Sequence, residues 1–347
     1  MVLNQKIDIL NLTADNLAKW LNTYDIKPFR AKQILKWIYN CQADDFEVMT
    51  DLGKSLRSLL SENFFIGRLK KEKILISSDG AKKYLFKLTD QNFIETVLIP
   101  EKNHFTLCIS SQAGCALGCR FCLTSRGGLI RNLTLSEIIS QVRDVENDLP
   151  DKSLLTNIVF MGMGEPLANY ENVANAVNTF INNETGLKYK SRKITVSTAG
   201  IVPKLYDLGR DTKANLAVSL NATDDDARSN LMPINRKYPI DQLLEACKKY
   251  PLRPHRRITF EYILIEGIND SMENAKRLAK LLRSIKAKIN LIPFNEFEGC
   301  EFKRPEEKVV QTFLDILVKN HYTAIIRRSK GEDIYAACGQ LRAKLNN

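Results

Sequence analysis

Residues 105–134 read FTLCISSQAGCALGCRFCLTSRGGLIRNLT, and the architecture of the whole chain follows from how that stretch is read. It opens as a strand, FTLCIS, and passes into a loop with three cysteines in eight residues, Cys115-Ala-Leu-Gly-Cys119-Arg-Phe-Cys122. Gly114 and Gly118 let that loop curl around a ligand, because glycine adopts left-handed backbone at no steric cost. Three thiolates leave one coordination position of a metal group free. A structural zinc ion normally takes four protein ligands in two pairs, and no second Cys-x-x-Cys occurs in the chain. An iron-sulfur cluster with one iron open to a small molecule suits the spacing better. Zinc completed by a remote Cys or His stays open as the other reading.

Downstream, strand-like runs alternate with helical patterns. The strands are FTLCIS, NIVFMGM, KITVST, NLAVSL, RITFEYIL, INLIPF and TAIIRR. Between them, Thr134 and Glu137 form a capping box for a helix whose apolar face is Leu135, Ile138, Ile139, Val142 and Val145. Further helices are predicted over 170–181, 240–247, 272–285 and 305–318. Alternation of this kind gives an α/β fold with parallel strands. About six units fall short of eight, which predicts a partial (β/α)6 barrel of the TIM type, with a doubly wound open sheet as the alternative. Upstream, a helix capped by Thr13, a second after Pro28 and a third through Leu52, Leu56 and Leu60 make a small helical module. The runs KKYLFKL and NFIETVLIP follow around an Asp79-Gly80 turn signal. The expected organisation is 1–68 helical accessory domain, 69–100 β-hairpin extension, 101–330 barrel and 331–347 C-terminal segment.

Composition narrows the class. Of 347 residues, 44% are apolar and 26% charged, enough for one sizeable core and outside the disordered, collagen-like and membrane-embedded ranges. The opening MVLNQKIDILNL resembles neither a secretory nor a transit signal. A cytoplasmic protein with no membrane partner is expected. Fifty-one basic against 40 acidic side chains leave +11, which makes a nucleic acid the first partner to consider. The densest clusters are Lys188–Lys193, Arg253–Arg257 and Arg327–Lys330, each of which alone reads as ordinary solvated surface. Eight cysteines in a reducing compartment point to metal binding or catalysis rather than disulfides. Nothing around Cys41, Cys247 or Cys300 assigns them a task.

Polar residues gather where strands end. Gly162-Met-Gly164-Glu165-Pro166 follows the second barrel strand, Ser197 ends the third, Ser219-Leu220-Asn221 ends the fourth and Asn295 follows the sixth. Barrel enzymes keep their chemistry at those ends. Each residue alone reads as a cap or turn; together they outline a pocket.

The Cys-x-x-x-Cys-x-x-Cys loop after the first barrel strand resembles the radical S-adenosylmethionine superfamily. CISSQAGCALGCRFCLTSRGGLIRNLT, NLTADNLAKWL, PFRAKQILKWIY and GEDIYAACGQL resemble, more narrowly, the RlmN/Cfr family of RNA adenine methyltransferases, over nearly the whole chain. The resemblance implies a [4Fe-4S] cluster on Cys115, Cys119 and Cys122, with S-adenosylmethionine chelated to the open iron. It implies that Gly164 and Glu165 contact the amino group of that molecule, and that Ser197, Ser219, Leu220, Asn221 and Asn295 bind its ribose and carboxylate. Two S-adenosylmethionine molecules serve each turnover. The first methylates Cys338; the second, reduced by the cluster, yields the radical that activates this methyl group for addition to adenine. Cys108 then displaces Cys338 as a transient disulfide while Glu95 accepts the proton. Without the resemblance, Glu95 reads as a solvent-facing strand residue, and Cys108 and Cys338 as small core residues.

The implied substrates are adenosine 2503 of 23S ribosomal RNA and adenosine 37 of transfer RNA, methylated at carbon 2, by a monomer served by a flavodoxin-like external reductant. The basic helical module, with Lys27, Arg30, Lys32 and Lys36, is expected to contact RNA. Competing readings are methylation at carbon 8, a radical enzyme acting on a protein or small molecule, and an RNA-binding protein stapled by zinc or a cluster.

Overall fold

The computed structural model describes residues 6–343. Ten strands form one sheet: β1 (Lys70–Ile76), β2 (Lys82–Lys87), β3 (Phe93–Pro100), β4 (Phe105–Cys108), β5 (Leu155–Phe160), β6 (Ile194–Thr198), β7 (Asn215–Ser219), β8 (Ile258–Leu264), β9 (Ala287–Pro293) and β10 (Ala324–Ile326). Their order across the sheet is their order in the chain. β1 to β4 pair antiparallel, and β4 to β10 pair parallel. Parallel neighbours need a crossover rather than a hairpin, and the junctions from β4 to β10 are crossed in turn by the helices Leu135–Glu146, Tyr170–Ile181, Val202–Asp211, Ile240–Lys249, Met272–Leu281 and Glu307–Lys319, with the shorter helices Leu123–Arg126 and Asp225–Leu231 added in the first and fourth. β10 pairs with no strand on its far side among the described residues. The fold is therefore a partial six-unit barrel, and residues 69–100, expected as a hairpin, form three antiparallel strands that continue the barrel's own sheet.

Alternation along the strands decides what the barrel encloses. Leu107, Ile158, Val196, Leu216, Phe260 and Leu291 belong to the buried core under the helices. Their neighbours Thr106, Asn157, Thr195, Asn215 and Asn290 face a cavity instead. A wall of amides and hydroxyls cannot interdigitate like the branched apolar layers of a closed TIM barrel, so the interior stays open to a ligand.

The open edge is covered by residues 329–343. The Gly331 N–H donates to Asp79 at 2.8 Å, and Asp333 accepts from the Ser77 hydroxyl at 2.6 Å and the Ser78 N–H at 3.0 Å. Farther along, the Thr124 hydroxyl donates to the Leu341 carbonyl at 2.7 Å.

At the other end, helices Ala14–Asn22, Phe29–Tyr39 and Lys54–Asn63 form the N-terminal module. Thr13 caps the first, accepting from the Asn16 N–H at 3.2 Å. The helix Leu135–Glu146 has the predicted capping box, yet all of it is buried rather than one face. The module covers its polar side. Arg143 donates to the carbonyls of Ala43 and Gly67 at 3.2 and 3.3 Å, and Asp144 accepts from the Leu69 N–H at 2.8 Å and from Arg68 at 3.1 Å. An amphipathic pattern locates the apolar stripe; a second layer can still bury the polar one when its groups find partners. The helix Val202–Asp211 escapes the sequence reading because Pro203 and Gly209 interrupt its pattern. Pro203 sits in the first turn, where its missing N–H costs nothing, and a Cβ at Gly209 would lie 2.6 Å from the Pro251 ring.

Candidate active site

The cysteine loop is shaped by its glycines. Gly114 and Gly118 take φ of +77° and +69°, and a Cβ at 114 would lie 2.0 Å from the Gly128 carbonyl. The returning chain passes that close because Gln112–Gly114 pairs with Leu129–Asn132 in a short ladder and the Cys115 N–H donates to Gly128 at 2.8 Å. The loop then aims Cys115, Cys119 and Cys122 into one cavity, which Gly164, Glu165, Ser197, Ser219 and Cys338 also line.

Burial pushes the Cys115 thiol up to about 11 and Cys119 well above its ordinary range, and each neighbouring thiolate would push further. Three thiols crowded this way become stable anions only beside a cation, and metal binding releases their protons. Among the described residues no three His, Cys, Asp or Glu side chains converge as they would around one ion. Three thiols on one loop, one short of the four protein ligands of a structural zinc ion, suit an iron-sulfur cluster with one iron left open. Two further atoms want a partner: Asn295 Oδ1 and Glu261 Oε2 are buried with none. Glu261 lines the cavity, and the Asn295 amide donates to the Cys338 carbonyl at 3.1 Å. Unpaired acceptors suit a ligand that brings amine and hydroxyl donors, as S-adenosylmethionine does.

The turn after β5 is held by close backbone approach. A Cβ at Gly162 would meet the Ile109 carbonyl at 2.7 Å, and one at Gly164, whose φ is +99°, would meet Gln112 at 2.5 Å. The Glu165 carboxylate accepts from the Thr198 hydroxyl (2.7 Å), the Ala199 N–H (2.8 Å) and the Leu167 N–H (3.0 Å). It fastens the β5 turn to the end of β6. Leu220, Asn221 and Asn295, in contrast, do not line the cavity. Leu220 is fully buried, and Asn221, at φ +57°, accepts from the Ile263 N–H at 2.9 Å and so holds a turn. Gly162→Ala drives a methyl group into a backbone carbonyl that cannot rotate away. The expected cost is about 1–3 kcal/mol by overpacking, with at least tenfold weaker S-adenosylmethionine binding, read by thermal unfolding and equilibrium dialysis.

Cys338 also faces a second cavity of about 570 Å³, lined by Cys108 and Arg327. Both thiols are free. Burial pushes Cys108 up to about 12, the Cys338 charge adds to that, and the Arg327 guanidinium opposes it. Cys338 is raised by burial and pulled back by the same guanidinium. Arg327 is therefore not part of a solvated cluster. Two residues beyond the inward-facing Ile325, it turns into the barrel, a parity that TAIIRR carries in its alternation.

Glu95, far from facing solvent, is 4% exposed and lies in a neighbouring cavity with Lys83, Tyr335 and Arg342. Lys83 Nζ stands 3.1 Å from Glu95 Oε1, and the Arg342 N–H donates to Oε2 at 2.8 Å. Lys83 is a site residue that the sequence reading misses. Cys247 is buried under the helix Ile240–Lys249, Cys41 is exposed and Cys300 is half-buried. No helix among the described residues is long and apolar enough to cross a membrane.

Residues 7–66 match the family described as the ribosomal RNA large subunit methyltransferase N-terminal domain, and residues 109–279 match the radical SAM superfamily. A dual-specificity RNA methyltransferase RlmN of Desulfosudis oleivorans is 54% identical over 97% of this chain and 91% of its own length. Its counterpart in Geobacter sulfurreducens is 52% identical over 98% and 93%. The crystal structure of a radical SAM methyltransferase from Sphaerobacter thermophilus superposes with a TM-score of 0.90 at 42% identity, covering 97% of this chain and all of that one. A three-cysteine loop on a partial barrel, an N-terminal module of the matching kind and near-complete alignment at half identity have one common explanation: the chain belongs to the RlmN family of radical SAM RNA methyltransferases.

Proposed function

We propose that the protein methylates carbon 2 of adenine in RNA, at adenosine 2503 of 23S ribosomal RNA and adenosine 37 of transfer RNA, as a monomer fed by an external flavodoxin-like reductant. The observation that carries this reading is the position of Cys338, on the walls of both the cavity of the three cysteines and the cavity of Cys108. A carrier that loads at one site and is displaced by a second thiol needs that position.

Carbon 2 of adenine has no lone pair with which to attack a sulfonium methyl group, so the methyl group needs a carrier. Cys338 takes it as a thiolate from one S-adenosylmethionine, whose sulfur leaves with the bonding electron pair. Arg327, beside both thiols, favours the anion. Cys115, Cys119 and Cys122 would hold a [4Fe-4S] cluster, which would supply one electron for cleaving a second S-adenosylmethionine held by Gly164, Ser197, Ser219 and Asn295 and would take one electron back from the RNA adduct. The 5'-deoxyadenosyl fragment of that molecule carries off a hydrogen atom from the Cys338 methyl, and the resulting methylene carbon bonds to carbon 2; the adduct is then oxidised by one electron. Glu95 takes the proton of carbon 2. Cys108 attacks the Cys338 sulfur, the carbon–sulfur pair stays with the carbon, a proton completes the new methyl group, and the Cys108–Cys338 disulfide left behind is opened by two electrons from the external reductant. Glu95 has both oxygens engaged, one by the backbone of the segment that carries Cys338. Its turn as base requires that segment to shift.

Nucleoside mass spectrometry of both RNAs, after reaction with reduced protein and S-adenosylmethionine, is the test. The expected product is 2-methyladenosine; 8-methyladenosine alone, or no methylated adenosine, overturns the reading.

A further inference from the structure

The cavity that holds Cys108 is a shaft with a charged mouth. Its wall carries Thr106, Asn157, Thr195, Asn215 and Asn290 from five strands, groups able to donate and accept along the edge of a base. Its outer end lies where strands begin: Arg192 and Lys193 precede β6, and Lys288 is the second residue of β9. Arg192 and Lys288 are exposed whereas Cys108 is buried, so the shaft runs from solvent to the thiol. The opposite face, where TIM-type enzymes receive substrate, is roofed. There the Leu123 N–H donates to the Gly339 carbonyl at 2.7 Å and Gln340 donates to the Glu296 carbonyl at 2.8 Å.

The mouth continues sideways into a groove of about 780 Å³ lined by Lys188, Lys190, Lys213 and Arg256, with Arg192 on the wall of both. Among the described residues, Lys188, Lys190, Arg192, Lys193, Lys213 and Lys288 join no ion pair. Glu101 is the one carboxylate on the shaft wall. Cations left unneutralised along one path form a field that a polyanion fills and a neutral or cationic partner does not. The path also reaches the N-terminal module. Glu184, next to the groove residue Asn183, is held by Lys32 of the helix Phe29–Tyr39 at 2.6 Å.

We infer that the RNA reaches the active site from the N-terminal ends of the barrel strands, with its phosphates along Lys188, Lys190, Arg192, Lys193 and Lys288 and its target adenine extruded up the shaft toward Cys338. This rests on the proposed RNA methylation and adds the face, the phosphate track and the direction of approach. Phosphate contacts fix register and the shaft selects what fits. A base must leave its stack to reach an enclosed centre, and backbone contacts on both sides of it offset that cost.

The probe is an in vitro transfer RNA transcript with 4-thiouridine beside the target adenosine. With wild-type protein, photocrosslinks fall on residues 188–193 and around Lys288. Arg192→Glu combined with Lys288→Glu weakens binding about tenfold or more at 0.1 M salt and flattens the plot of log affinity against log salt by roughly two contacts. The iron-sulfur absorption of that variant reports that it has folded. Crosslinks confined to the cysteine-loop face, or unchanged affinity and salt slope in the folded variant, overturn the inference. Wild-type protein that crosslinks along the track but leaves the RNA unmethylated upholds the track and removes the proposed function.

Discussion

Cys338→Ala protein should make no 2-methyladenosine, and Cys108→Ala protein should end its reaction covalently joined to RNA. The two thiols face one cavity, Cys108 buried and Cys338 half-buried, and a purely structural role gives neither variant a covalent RNA adduct. The carrier mechanism separates them. Without the Cys338 sulfur the methyl group would have nowhere to wait: Cys108 does not line the cavity of the three cysteines, and in the proposed mechanism those cysteines are taken up as cluster ligands. The loss should be at least about a thousandfold, as for removal of a nucleophile elsewhere. Without Cys108 the earlier steps remain available. The new carbon–carbon bond forms, and the carbon–sulfur bond to Cys338 has no thiolate to break it. Denaturing gel electrophoresis should then show the protein shifted by one RNA, and nuclease digestion should leave an adenosine adduct on the Cys338 peptide. Methylation retained by Cys338→Ala, or a Cys108→Ala reaction that stops with free RNA, would remove the carrier from the mechanism.

How much of this the sequence carries depends on the range of each interaction. The cysteine loop is legible because its chemistry is local: three thiols, two glycines and a preceding strand lie within eighteen residues, Phe105 to Cys122. The barrel is legible because alternation and helical periodicity are local too, and all seven of its strands fall where FTLCIS through TAIIRR place them. Contacts between distant segments are not legible. Helix Leu135–Glu146 reads as half-exposed because Ala43, Gly67, Arg68 and Leu69, which meet its polar face, lie far upstream. Glu165 reads as a ligand group, and that its carboxylate also accepts from Thr198 and Ala199 is not legible from its neighbours in the chain. Glu95 reads as exposed because its neighbours are Lys83, one strand over, and Arg342, near the other end of the chain.

That last pair sets the second large expectation: Lys83→Met should cost about 3–5 kcal/mol, because it strands a carboxylate in the interior. Register explains why the two meet. Lys83 stands opposite Val97, Val97 opposite Cys108, and Glu95 two residues from Val97 on the same face. The side chains of Lys83 and Glu95 keep only 7% and 5% of their exposure, so the carboxylate loses its partner in a largely desolvated position. Lys83 Nζ also donates to the Tyr335 carbonyl at 3.1 Å, which ties the ion pair to the segment bearing Cys338. Urea unfolding of the full chain measures the loss, and a midpoint within 1 kcal/mol of wild type would show the pair to be unimportant. The double variant Lys83→Met, Glu95→Leu is the informative companion. Replacing both charges with apolar groups of similar size removes the stranded carboxylate and should recover most of the stability. It should not recover turnover, because nothing remains to take the proton from carbon 2, and RNA should accumulate on Cys338 as it does in Cys108→Ala. Stability restored together with methylation would make Glu95 a structural residue alone.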